Sequence, residues 1–139
     1  MTARWREIEH TGDVAIEVLA DTREELFSEG LIAMSRLMVD PDLICMTHDR
    51  LIPVNGGDDA EALRDLLAAA LNIFIVEGFI WHDAELREDD SGALIARLEG
   101  ERFDPARHQL LEEIKAVTYH RLSVQRVGDE WRAMVVFDA

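Results

Sequence analysis

The chain has 139 residues, 48% of them apolar, and a formal net charge of −15 from 29 acidic and 14 basic residues. That length and apolar content fit one domain, residues 1–139, with a core of its own, and exclude a disordered chain. A surface this acidic repels phosphate backbones, whose affinity for proteins rests on Lys and Arg, so tight direct nucleic-acid binding is excluded; solubility, cations or a basic protein partner suit it better.

Cys45 is the single cysteine. It allows no intrachain disulfide and no zinc motif, and it reads as a small buried hydrophobe in a reducing cytoplasm. Residues 1–6 lack the apolar run of a secretory signal. The most apolar segment, 63–81, is interrupted by Arg64, Asp65, Asn72 and Glu77, so it falls short of the roughly 20 apolar residues of a membrane span.

Trp5 to Glu9 reads as a short strand, followed by a turn at His10-Thr11-Gly12-Asp13. Val14 to Ala20 is a second strand, with Val14, Ile16 and Val18 on one face. A helix opens after Thr22, which has capping-box spacing to Glu25. Leu26, Phe27, Leu31, Met34, Leu37 and Met38 form its apolar stripe, and Asp40-Pro41-Asp42 stops it. Leu51 to Val54 is a short strand placed at an edge by Pro53. After the turn Asn55-Gly56-Gly57, Asp58 caps a second helix whose stripe is Leu63, Leu66, Leu67, Ala70, Leu71 and Phe74; Gly78 ends it. Phe79 to Leu86 is a strand, Asp89 to Gly92 a turn, and 94–99 another strand. Residues 100–108 read as a loop. Two strands, 117–127 and 131–138, close the chain as a hairpin around Gly128-Asp129. Two amphipathic helices need a sheet to cover, so the fold class is α+β: a two-layer sandwich of a mostly antiparallel sheet under two helices.

Signatures of common catalytic sites are missing. The sequence holds no glycine-rich phosphate loop, no HExxH, no GxSxG and no cysteine pair. Three polar spots remain. His10-Thr11-Gly12-Asp13 is a turn between rigid strands, where ligand sites commonly lie, and it also reads as an ordinary Asx turn. Asp138 ends an apolar strand one residue before Ala139. Paired near Asp13, it would bring two carboxylates together, with the terminal carboxylate of Ala139 as a third anionic group; such a cluster calls for a hard, oxygen-liking cation. A solvated chain end is the other interpretation, and the residues alone leave both open. The third spot is Lys115, the only lysine. It supplies a compact mobile charge where the chain otherwise uses arginine, by a specific contact or by chance. By simple alternation Tyr119 and His120 fall on opposite faces of their strand.

Taken together, these pieces resemble the archease family along nearly the whole chain. His10-Thr11-Gly12-Asp13-Val14-Ala15-Ile16 is similar to that family's N-terminal motif. So are the helix through Leu26-Phe27 to Asp40, Gly100-Glu101, His108, Lys115 to His120, and the ending Trp131 to Asp138. Two features depart from the pattern. Gly12 stands in place of alanine, and the second helix reads Leu66-Leu67-Ala68-Ala69-Ala70-Leu71-Asn72 without the usual tryptophan or the acidic residue after the asparagine.

The resemblance implies a non-catalytic accessory protein of an RtcB-type RNA ligase. It would promote guanylylation of the ligase's active-site histidine and multiple turnover in tRNA splicing and RNA repair. It also implies a divalent ion, calcium first and magnesium or manganese as alternatives, held by Asp13, Asp138 and the main-chain oxygen of Ala139. His10 and Lys115 are the candidate contacts to the partner or to phosphate. Two other functions fit the same residues: a chaperone-like acidic binding module whose metal is structural, and a stand-alone phosphoester hydrolase.

Overall fold

The computed structural model describes residues 3–10 and 13–139. In chain order it has β1 (Arg4–His10), β2 (Asp13–Ala20), α1 (Arg23–Met38), a 3-10 turn at Pro41–Leu43, β3 (His48–Pro53) and α2 (Asp59–Glu77). Then come β4 (Phe79–Glu88), β5 (Leu94–Arg102), β6 (Ala116–Val117), β7 (Ser123–Val127) and β8 (Glu130–Asp138). The α+β class read from the sequence holds, with antiparallel strands beneath two helices. The strands divide into two sheets. One is five-stranded, in the order β1-β2-β8-β6 with β7 also on β8; the other is three-stranded, β3-β5-β4.

The helices join the two sheets into one core. The α1 stripe of Leu26, Phe27, Leu31, Met34, Leu37 and Met38 is buried, as are Leu63, Leu66, Leu67, Ala70 and Leu71 of α2. They meet Ile16, Val18, Ala133, Val135 and Phe137 of the large sheet and Ile52, Ala96 and Leu98 of the small one. Trp81 is fully buried where β4 meets α1. Its indole N–H donates to the Leu31 carbonyl at 3.0 Å, and Ser35 Oγ donates to the Trp81 carbonyl. Burial of these polar atoms therefore leaves none of them without a partner.

The caps follow the sequence with one change. Thr22 accepts from the Glu25 N–H at 3.1 Å, but Glu25 answers the Thr22 hydroxyl at 2.9 Å rather than a backbone N–H. Asp58 accepts from the Ala60 N–H, and Gly78 closes α2 in the left-handed region at φ 70°, a conformation that favours glycine. Arg23 and Asp59 tie the two helix starts together at 2.5 Å.

Four expectations change. Residues 100–102 continue β5 instead of opening a loop. Gly100 permits this because a Cβ there would lie 1.9 Å from the Ile80 carbonyl oxygen, beside a bulge in β4 at Trp81/Asp83; only a bare backbone fits so close. Residues 117–127 are not one strand. The pairing with β8 breaks over 118–122, where Arg121 turns back at φ 53°, and Thr118 is held by both its N–H and its hydroxyl to the Val136 carbonyl. Tyr119 and His120 therefore lie in this break and not on two faces of a strand. Cys45 is exposed, not buried. Ile44 takes the buried position, and the extended backbone there turns the next side chain outward.

Candidate metal and partner site

The large sheet sets the candidate residues in a row. In β1–β2 His10 faces Asp13, and in β2–β8 the terminal pair is Val14 with Phe137. Asp13 begins β2 and Asp138 ends β8, so the two carboxylates stand one step beyond that pair, on adjacent antiparallel strands. Directly opposite residues in such a ladder have Cβ atoms about 5 Å apart. On the far side of β8, Ala116 faces Asp138, and the Lys115 N–H donates to the Asp138 carbonyl at 2.7 Å. Four neighbouring strands thus bring His10, Asp13, Asp138 and Lys115 to one sheet end, with Ala139 following. Thr11, Gly12 and the side chain of His10 lie outside the described residues.

Strand alternation separates this row from the core. Ile16, Val18, Val135 and Phe137 point inward and are fully buried. Asp13 and Asp138 share the opposite face with Glu17, which holds Arg6 at 2.9 Å and Arg132 at 3.8 Å. Asp138 and Lys115 are exposed, and Asp13 and Ala139 half-buried. Among the described residues no group of three or more His, Cys, Asp or Glu side chains is gathered closely enough to hold a metal ion. The donors that fit one here are two carboxylates and a main-chain oxygen. Such hard oxygen donors suit a calcium-like ion, which takes six to eight ligands and would draw the remainder from water or a partner.

A second polar assembly was less legible. Only the family resemblance marked Glu101 and His108. Glu101 accepts from Arg107 Nη1 at 3.0 Å and Nη2 at 2.9 Å, from the Cys45 N–H at 2.6 Å and from His108 Nε2 at 3.0 Å. The Arg107 fork, with help from the Cys45 and His108 donors, outweighs burial and holds the Glu101 carboxyl down to about 2. The His108 side chain is 0% exposed. Its Nδ1 accepts from the Asp104 N–H at 2.8 Å, which fixes the proton on Nε2. Arg107 Nη2 and His108 Nε2 also reach the Leu43 carbonyl, at 3.1 Å each. The knot clamps the 43–45 segment to the 101–108 segment. Every member is paired within it, which marks a structural clasp.

Residues 5–139 match the model of the archease protein family. The chain belongs to the archease family. Among curated archeases, that of Methanopyrus kandleri is 36% identical over 137 residues, 96% of this chain and 98% of its own. The Pyrococcus furiosus archease is 34% identical over 139 residues, covering 97% and 98%. The solution structure of Methanobacterium thermoautotrophicum protein 1598 superposes with a TM-score of 0.80 at 24% identity, over 97% of this chain and 98% of that one. A crystal structure from Thermotoga maritima, described as an archease and possible chaperone, gives 0.66 at 25% identity over 96% of each chain. No helix in the described part of this archease is long and apolar enough to cross a membrane.

Proposed function

We propose that this archease is a non-catalytic, metal-binding activator of an RtcB-type RNA ligase in the cytoplasm. It promotes guanylylation of the ligase's active-site histidine and repeated turnover in tRNA splicing and RNA repair. The observation that supports this most is the row at the sheet end, with Asp13 and Asp138 side by side and Lys115 tied by its main chain to Asp138. Asp13, Asp138 and the Ala139 oxygen would hold the ion, which supplies positive charge against the nucleotide phosphates. Lys115 and His10 would meet the same phosphates or a ligase carboxylate. Exposure of Asp138 and Lys115 keeps them within reach of a partner.

The test is a ligation assay with the organism's RtcB-type ligase, GTP and a divalent ion, with and without this protein. A rise from about one turnover to many on addition is the expected result. Asp13→Asn and Asp138→Asn should each remove most of that gain, since a hard ion loses an anionic ligand. Full activation by both variants would remove the metal from the mechanism. No effect of the unmodified protein on turnover or guanylylation would leave a chaperone-like binding module as the better reading. The exposed apolar side chains Leu43, Leu110 and Leu111 are the observation that favours it.

A further inference from the structure

The helix-facing side of the small sheet changes character along its length. Ile52, Ala96 and Leu98 are buried under the helices. On the same face, by period-two alternation, the strands then present Arg50 and His48 on β3 and Gly100 and Arg102 on β5. α2 ends at Glu77, so this end of the face is uncovered. A groove of about 750 Å³ lies there. Val76, 72% exposed on the last turn of α2, and the half-buried Phe103 give it an apolar wall.

Charges in the groove are not equivalent. Its three carboxylates are committed to the chain itself. Glu77 holds Arg50 Nε at 2.9 Å, Glu101 is forked by Arg107, and Asp104 accepts from the Ala106 N–H. Two arginines are likewise engaged, Arg107 by Glu101 and Arg50 by Glu77 and by the Phe79 ring at 4.7 Å. Arg102 is exposed and has no hydrogen-bond or ion-pair partner among the described residues. Three carboxylates and three arginines line the groove, and Arg102 is the one charged side chain among them with neither a hydrogen bond nor an ion pair among the described residues.

We propose that this groove binds a short acidic peptide segment of a protein partner, with a carboxylate on Arg102 and a neighbouring apolar side chain against Val76 and Phe103. A segment with few carboxylates gains the local attraction without meeting the whole acidic surface, whereas a polyphosphate backbone meets that surface all along its length. The site does not rest on the metal reading, because it shares no residue with the Asp13–Asp138 row.

The probe is the peptide acetyl-Glu-Leu-Glu-Phe-Glu-amide, titrated into the intact protein while backbone amide NMR shifts are followed. Shifts are expected at residues 47–50, 76–79 and 100–104 and not at residues 13, 115 or 138. Arg102→Gln should weaken binding about five-fold, as should salt raised to about 1 M, where the screening length falls to ~3 Å. Val76→Asp should weaken it as well. Shifts elsewhere, or an Arg102→Gln variant that binds as well as the parent, would overturn the proposal. So would a peptide with Lys in place of Glu binding equally. Inorganic phosphate reproducing the same shifts at equal concentration would overturn it too, in favour of a simple anion site. The Arg102 side chain makes no hydrogen bond or ion pair among the described residues, and glutamine keeps the first part of its stem, so the variant should unfold as the parent does.

Discussion

Two carboxylates, one half-buried and one exposed, stand at facing strand ends of the large sheet, while at the small sheet a single carboxylate is enclosed by donors. Asp13 and Asp138 occupy facing ends of β2 and β8, and the exposed Asp138 offers its carbonyl to Lys115. Glu101, with a side chain 12% exposed, takes hydrogen bonds from three residues and pins two loops together. The difference separates two uses of charge. A buried carboxylate is tolerated only when its lone pairs are met, and then it holds the fold. Two like charges set side by side at a sheet end repel each other, and a cation between them would relieve that repulsion.

The sharpest way to break that contrast is to remove the enclosed member. Glu101→Ala leaves the Arg107 fork, the Cys45 N–H and the fully buried His108 Nε2 without their acceptor. A loss of about 2–3 kcal/mol in denaturant unfolding is expected, with Glu101→Gln recovering part of it. A change under about 0.5 kcal/mol would mean the knot is ornamental.

Acid should dissolve the same contrast without mutation. The folded carboxyl of Glu101 is lowered to about 2 from an ordinary 4.5, chiefly by the Arg107 hydrogen bonds. A depressed folded value means the ionised form is preferred in the native state. Its contribution is present in full above about 4.5 and is lost as pH falls toward about 2. The gap in melting temperature between the parent and Glu101→Gln should therefore be constant near neutrality and close across that window. A gap that stays constant down to about pH 2 would contradict the assignment.

How far each assembly was legible follows from the same physics. Val14, Ile16 and Val18 announce β2 by period, and the α1 and α2 stripes announce the helices, because each element buries one face. The Asp13–Asp138 pairing was legible only as a condition, because a strand follows Asp13 and another ends at Asp138 but the sequence does not say that those two strands are neighbours; the β2–β8 ladder sets them opposite. The knot was not, because Cys45, Glu101, Arg107 and His108 lie on separate loops and strand ends, and no periodicity links them. Gly100 hid the end of β5 for a related reason. Glycine reads as a turn in sequence, while here it marks a backbone too close for any side chain. The break at 118–122 depends on Arg121 in a left-handed conformation, which arginine does not signal.

A third test adds an ion to the site proposed at Asp13 and Asp138. Calcium that binds only the folded state raises stability by mass action, about 2.7 kcal/mol at 100 times the dissociation constant. The parent should gain melting temperature with added calcium, and Asp138→Asn should gain little while keeping the main-chain bond from Lys115. Added calcium should not alter the cost of Glu101→Ala, since the two assemblies share no residue. Equal calcium gains in the parent and in Asp138→Asn would remove Asp138 from the ion's ligands.

The smallest expected effect on the fold belongs to Lys115. Its structural contribution is the N–H donated to the Asp138 carbonyl, which every residue but proline retains. Lys115→Gln should therefore change stability by no more than about 0.5 kcal/mol. Under the proposed function the same variant should lose most of the turnover gain in the ligation assay. Lys115→Arg should not restore it, because a planar fork cannot replace a compact ammonium at a point contact. Full activation by Lys115→Gln would show that β6 needs this residue only for its backbone, and the lone lysine would have no part in the site.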